Sequence, residues 1–158
     1  MPDSATPTSD PTLPPTTATI LVADDSDADI DLLRIAFNRA KVPVQIATAH
    51  DGQEAVDYLA GAIQPNGMRR HPLPALLVLD LNMPRMNGFD VLTWMNRRPQ
   101  LQKLPVVVMT CSGLEEDRVR ARNLGADDYI VKPDTLPDLV RMAASLRERW
   151  LGPRNDEN

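Results

Sequence analysis

The chain has a single cysteine, Cys111, so no intramolecular disulfide is available to it. No apolar run approaches the ~20 residues that a membrane span needs. The N-terminus lacks the basic and apolar regions of a secretion signal, and together these absences point to a soluble, cytoplasmic protein that does not contact a membrane. An excess of positive charge is also missing: the formal net charge is −5. That argues against direct nucleic-acid binding, which needs a basic face to displace counterions from phosphates. The two histidines, His50 and His71, fall away from any cluster of potential ligands, so zinc gains no support. There is no internal repeat.

What is present suits one domain. Of 158 residues, 42% are hydrophobic and 25% charged. Residues 1–17 are set apart by five prolines and five threonines, with almost nothing apolar to bury, and read as a disordered tail. Residues 152–158 are polar, and Gly152 followed by Pro153 is a helix stop. The folded part is therefore expected over residues 18–151.

Within it, short apolar runs alternate with stretches of helical period. The runs Thr19–Ala23, Val44–Thr48, Ala75–Leu79, Pro105–Met109 and Asp128–Val131 predict five strands. Three are continuously apolar, as parallel strands covered on both faces are, whereas Val44–Thr48 alternates and suits a sheet edge. Helix starts are predicted at Ser26 with Asp29, at Ser112 with Glu115, and at Thr135 with an early Pro137. The first helix then carries Ile30, Leu33, Phe37 and Ala40 on one face. The last carries Leu136, Leu139, Ala143, Leu146 and Trp150. Five βα units with right-handed crossovers give an α/β fold, a doubly wound five-stranded parallel sheet of order 2-1-3-4-5 with five helices.

Ligands of such sheets sit beyond the carboxyl ends of the strands. Those ends carry Asp24 and Asp25, Asp80, and Thr110, and Lys132-Pro133 follows the fifth strand. Three crowded carboxylates raise one another's pKa unless a divalent cation neutralises them. Oxygen ligands with room for water describe Mg²⁺. A lysine and a hydroxyl would bind phosphoryl oxygens, and a carboxylate would be the nucleophile. Taken singly, each feature has a plainer reading, as a helix cap, a turn or a strand end. Their convergence on one crevice favours a phosphoryl-transfer site.

Four segments carry a family resemblance: Val22-Ala-Asp-Asp25, Leu79-Asp-Leu-Asn-Met-Pro84, Val108-Met-Thr110 and Tyr129-Ile-Val-Lys-Pro133. In this order and spacing they resemble the receiver domain of two-component response regulators over about residues 18–151. The resemblance implies a flavodoxin-like receiver fold and a Mg²⁺-dependent switch that takes a phosphoryl group on Asp80 from a sensor histidine kinase. It further implies metal binding by Asp25 and Asp80 directly, by Asp24 through water and by the backbone carbonyl of Asn82. Thr110 and Lys132 would contact the phosphoryl group, with Lys132-Pro133 joined by a cis peptide. Tyr129 would follow Thr110 inward on activation. The long connection from Gly61 to Pro74, the Asp-Leu-Asn-Met-Pro loop and the extended last helix are similar to single-domain regulators paired with phytochrome-type kinases.

Other residues receive plainer expectations. Cys111 reads as inert packing, and the Arg118, Arg120 and Arg122 series as a solvated helix surface. The fourth helix has few apolar residues, which makes its packing marginal. No effector is expected after Leu151, so output should leave through a protein surface. That surface is expected to be the helix 4–strand 5–helix 5 face, with a homodimer as one outcome and Met142, Ser145 and Arg149 as contact candidates. Two rival classes are an aspartyl phosphatase, which would want a second aspartate where Asn82 stands, and an interaction module that is never phosphorylated.

Overall fold

A computed structural model describes residues 17–65 and 67–152. The tails expected over residues 1–17 and 152–158 lie outside the described residues, apart from Thr17 and Gly152. Five strands, β1 (Ala18–Ala23), β2 (Val44–Ala49), β3 (Leu76–Leu79), β4 (Val106–Thr110) and β5 (Asp128–Val131), form one parallel sheet of order β2-β1-β3-β4-β5. The expected order is borne out, and the alternating strand β2 is indeed at the edge. Pro105 has no amide to give a ladder, so β4 begins one residue after it while its carbonyl accepts from Leu77 N.

Five helices cover the sheet: α1 (Asp27–Arg39), α2 (Gly52–Ala62), α3 (Gly88–Asn96), α4 (Glu115–Asn123) and α5 (Leu136–Leu146), the last continued by a π-helical turn over Arg147–Leu151. The period-two geometry of a strand divides the core in two. Ile20, Val22, Leu76, Val78, Val107 and Met109 meet α1 and α5 through Ile30, Leu33, Phe37, Leu139, Ala143 and Leu146. Their neighbours Leu21, Ala23, Leu77, Leu79, Val106 and Val108 meet the opposite layer through Leu59, Val91, Leu92 and Ala121.

Local details both follow and depart from the sequence reading. Ser26 and Thr135 cap α1 and α5 by accepting from Asp29 N and Asp138 N. Ser112 does not cap α4. Its Oγ donates to Asp117 Oδ2 at 2.6 Å, and Leu114 occupies the cap position without a side-chain bond. Met142 is not off the core stripe, because the buried face of α5 runs through Leu139, Met142, Ala143 and Leu146 at three- and four-residue spacing. Cys111 is exposed rather than packed, since β4 ends at Thr110 and the next residue has left the sheet. Only Ala121 of α4 is buried, in keeping with marginal packing. Arg118 and Arg120 are more than solvated surface: their guanidinium carbons lie 4.7 Å over the Tyr129 ring and 4.1 Å over the Phe89 ring.

Candidate phosphoryl-transfer site

The site is built where β1 and β3, central and adjacent, both end. Asp24 N donates to Ala49 O and Asp80 N to Ala23 O, each at 2.9 Å, so backbone ladders extend past the strands and fix both carboxylates. Asp24 and Asp80 are buried while Asp25 is exposed. One carboxylate oxygen from each of Asp24, Asp25 and Asp80 lies within 4.8 Å of the others. This is a donor set of hard oxygens, partly open to solvent, which fits a hard divalent cation that keeps some of its water.

Helix α3 is pressed against this point. A Cβ on Gly88 would fall 2.4 Å from Asp80 O, so only glycine lets the helix start so close. Asn87 caps it with a reciprocal box to Asp90. Between them, Asn82 N donates to Asp80 Oδ1 at 3.3 Å, which places the Asn82 peptide beside the acidic cluster.

Lys132 reaches in from the end of β5, where its own amide donates to Thr110 O. Its Nζ lies 2.8 Å from Asp24 Oδ2, 2.7 Å from Asp29 Oδ2 and 3.0 Å from Asp80 Oδ2. Burial alone would lower the lysine's pKa, but hydrogen bonds to Asp24 and Asp29 and the charge of Asp80 outweigh it and hold the ammonium protonated. Burial raises the Asp24 carboxyl above its ordinary value, and the bond from Lys132 opposes that rise. The Lys132–Pro133 bond, for which the resemblance implied a cis peptide, is trans. Trans is the intrinsically favoured form of such a bond by about 0.5–1 kcal/mol.

Asp24, Asp25, Asp80 and Lys132 are thus brought together, with the Asn82 peptide alongside. Thr110 is fully buried at the end of β4, and its Oγ1 accepts a long 3.5 Å bond from Ser112 N. Tyr129 stands apart. Its ring is buried beneath Arg118 and its hydroxyl donates to Ser112 O at 2.8 Å. Asp29 joins the site although it lies at no strand end. Ser26 and Asp29 have the spacing of a capping box, but only half of the box forms: Ser26 N donates to Asp24 Oδ1, and the Asp29 carboxylate goes to Lys132 instead. A second acidic residue one turn beyond Asp25, on the face toward the crevice, is the signal that could have revealed it.

The chain is similar in sequence and fold to known proteins. Residues 20–144 match the family model described as the response regulator receiver domain. A probable methanogenesis regulatory protein, FilR2 of Methanothrix harundinacea, is 35% identical over 133 residues, covering 84% of this chain and 83% of that protein. The phosphorylated cyanobacterial phytochrome response regulator RcpA superposes with a TM-score of 0.76 at 33% identity, covering 87% of this chain and 96% of RcpA. The response regulator Rcp1 of Synechocystis sp. is 32% identical over 132 residues, covering 84% of this chain and 88% of Rcp1. Its Mn²⁺-bound crystal structure superposes with a TM-score of 0.73, covering 87% of this chain and 96% of that one.

Proposed function

Since the chain belongs to the response regulator receiver family, we propose that it is a phosphoacceptor switch in which Asp80 takes a phosphoryl group from a sensor histidine kinase of the phytochrome-associated type. The observation that carries this reading is the contact of Lys132 Nζ with Asp80 Oδ2 inside a cluster of three carboxylates. In the transfer, an Asp80 oxygen forms the new P–O bond as the P–N bond to the kinase histidine breaks and the imidazole leaves with the electron pair. Lys132 moves one hydrogen bond to a phosphoryl oxygen, and Thr110 offers its hydroxyl to another. Asp25 and Asp80 would hold Mg²⁺ directly, Asp24 through water, and Asn82 through its carbonyl. When bound, the ion neutralises the carboxylates and the charge of the transferring group.

Output follows from a change of contacts. Thr110 and Lys132 end the strands that flank α4, whose single buried residue leaves its position easily biased. The α4–β5–α5 face is the proposed output surface, toward a second copy of the chain. Among the described residues no helix is long and apolar enough to cross a membrane, and a cytoplasmic site of action fits a kinase partner.

The test is intact-mass measurement after incubation with acetyl phosphate and Mg²⁺. Wild type should gain one phosphoryl mass and Asp80→Asn should gain none. Equal labelling of the variant would remove Asp80 as acceptor.

A further inference from the structure

We infer that Asp29 is a positioning residue that restrains Lys132 and so slows phosphoryl transfer onto Asp80. The inference rests on the phosphoacceptor reading above and adds a residue to it.

The Lys132 ammonium donates to Asp29 and to Asp80 and is ion-paired with Asp24, so three carboxylates surround it. A phosphoryl group arriving on Asp80 must draw the ammonium away from some of these partners. Asp24 and Asp80 belong to the carboxylate cluster suited to a cation, so both have another positive partner to turn to. Asp29 lies outside that cluster, and Lys132 is its partner at the shortest of the three distances, 2.7 Å. It is also held firmly. Its amide is bonded to Ser26 Oγ at 3.2 Å in the first turn of α1, which leaves its side chain a short, fixed arm.

Two effects follow. The arm draws Nζ toward α1 and away from an incoming phosphoryl oxygen. Its charge also stands one ammonium away from Asp80, at the partly exposed mouth through which an anionic phosphodonor must pass. Both oppose transfer, and both vanish when the charge is removed.

The test follows the rate of phosphorylation by acetyl phosphate with Mg²⁺, in which the P–O bond to acetate breaks as the bond to Asp80 forms and acetate leaves with the electron pair. Asp29→Asn keeps the size and one acceptor oxygen. It should label about three- to tenfold faster, the size expected for one charge across a few ångströms in a partly screened site. The gain should shrink in high salt. Asp29→Ser should show the same direction, which guards against a fault of one variant. Asp29→Glu, which keeps the charge, should stay near wild type. Asp31→Asn makes an equal charge change on an exposed residue of α1 and should leave the rate alone. Labelling of Asp29→Asn and Asp29→Ser at or below the wild-type rate overturns the inference while the phosphoacceptor reading stands. A wild type that takes no label overturns both.

Discussion

Arg85 donates through Nε to Asp51 Oδ2 at 2.9 Å, tying the loop after β3 to the start of α2. Asp51 is itself the cap of α2. The Glu54 amide first, and Arg85 with it, hold its carboxyl below the ordinary value. One residue on, Gly52 N donates to Met86 O at 2.9 Å. The loop that carries Asn82 is thus fastened at its far end by a side-chain pair and a backbone bond. Arg85 adopts the left-handed backbone, φ 66°, to reach its partner.

These contacts separate steric from conformational effects. A Cβ at Gly52 would lie 2.1 Å from Met86 O, so Gly52→Ala should lose about 2–3 kcal/mol and weaken Mg²⁺ binding through the displaced loop. Arg85→Ala and Arg85→Gly both lose the ion pair and differ only in backbone freedom. The glycine variant should therefore be the more stable of the two by about 1 kcal/mol in urea unfolding. Equal stabilities would show that the left-handed residue stores no strain.

Metal binding should register as stability. Mg²⁺ or Mn²⁺ should raise Tm by mass action on the folded state, and Asp25→Ala should abolish the increment, because Asp25 is the exposed member of the cluster and has no other partner among the described contacts. Since burial raises the Asp24 carboxyl, the ion must compete with a proton there, and the increment should be smaller at pH 5 than at pH 8. An increment that survives Asp25→Ala would place the ion elsewhere.

A second pH effect comes from His50, which links Asp27 at the start of α1 (Nε2 to Oδ1, 2.8 Å) with Glu54 of α2 (Nδ1 to Oε1, 3.4 Å). The hydrogen bond to Asp27 raises its pKa above 6.5, with Glu54 assisting. The stabilisation is therefore fully present below that ordinary value and is lost as pH rises through the folded one. All three side chains are substantially exposed, so solvent screening limits it to a few tenths of a kcal/mol. His50→Gln should lower Tm at pH 6 and leave it unchanged at pH 9, with the difference at pH 6 fading in high salt. A difference that persists at pH 9 would mean packing rather than charge.

The sequence exposes what repeats and hides what depends on a choice among partners. The apolar runs Thr19–Ala23 and Ala75–Leu79 mark the two central strands that the fold confirms as β1 and β3. The strand-end rule collected Asp24, Asp25, Asp80 and Lys132, which the fold does bring together. Asp29 was hidden because a carboxylate three residues after a serine satisfies a capping box on paper, and spacing cannot say that an ammonium 103 residues away outcompetes the cap. Ser112 failed the same way, its hydroxyl preferring Asp117 over a helix start. Met142 was misplaced because an aliphatic stripe looks narrower in sequence than the groove it fills. Arg118 and Arg120 looked solvated because the rings they cover come from β5 and α3.

A switch transmits only through a difference in affinity between its two states. The α4–β5–α5 face offers Val131, 42% exposed on an edge strand, beside the Arg149–Asp128 ion pair and the exposed Ser145. Val119, though also exposed, lies toward α3 with Thr93 and is excluded from it. Arg118 covers Tyr129 and donates to its carbonyl, so a shift of α4 toward the site would alter this face directly. Two copies meeting here would be related by a two-fold axis, which brings each residue of the contact in twice. A single Val131→Glu substitution then introduces two like charges into one small interface. Sedimentation equilibrium should show a dimer dissociation constant that falls on phosphorylation of wild type, and a Val131→Glu protein that takes the phosphoryl label yet stays monomeric. A wild type that is monomeric in both states up to high micromolar concentration would assign the output face to a different partner protein.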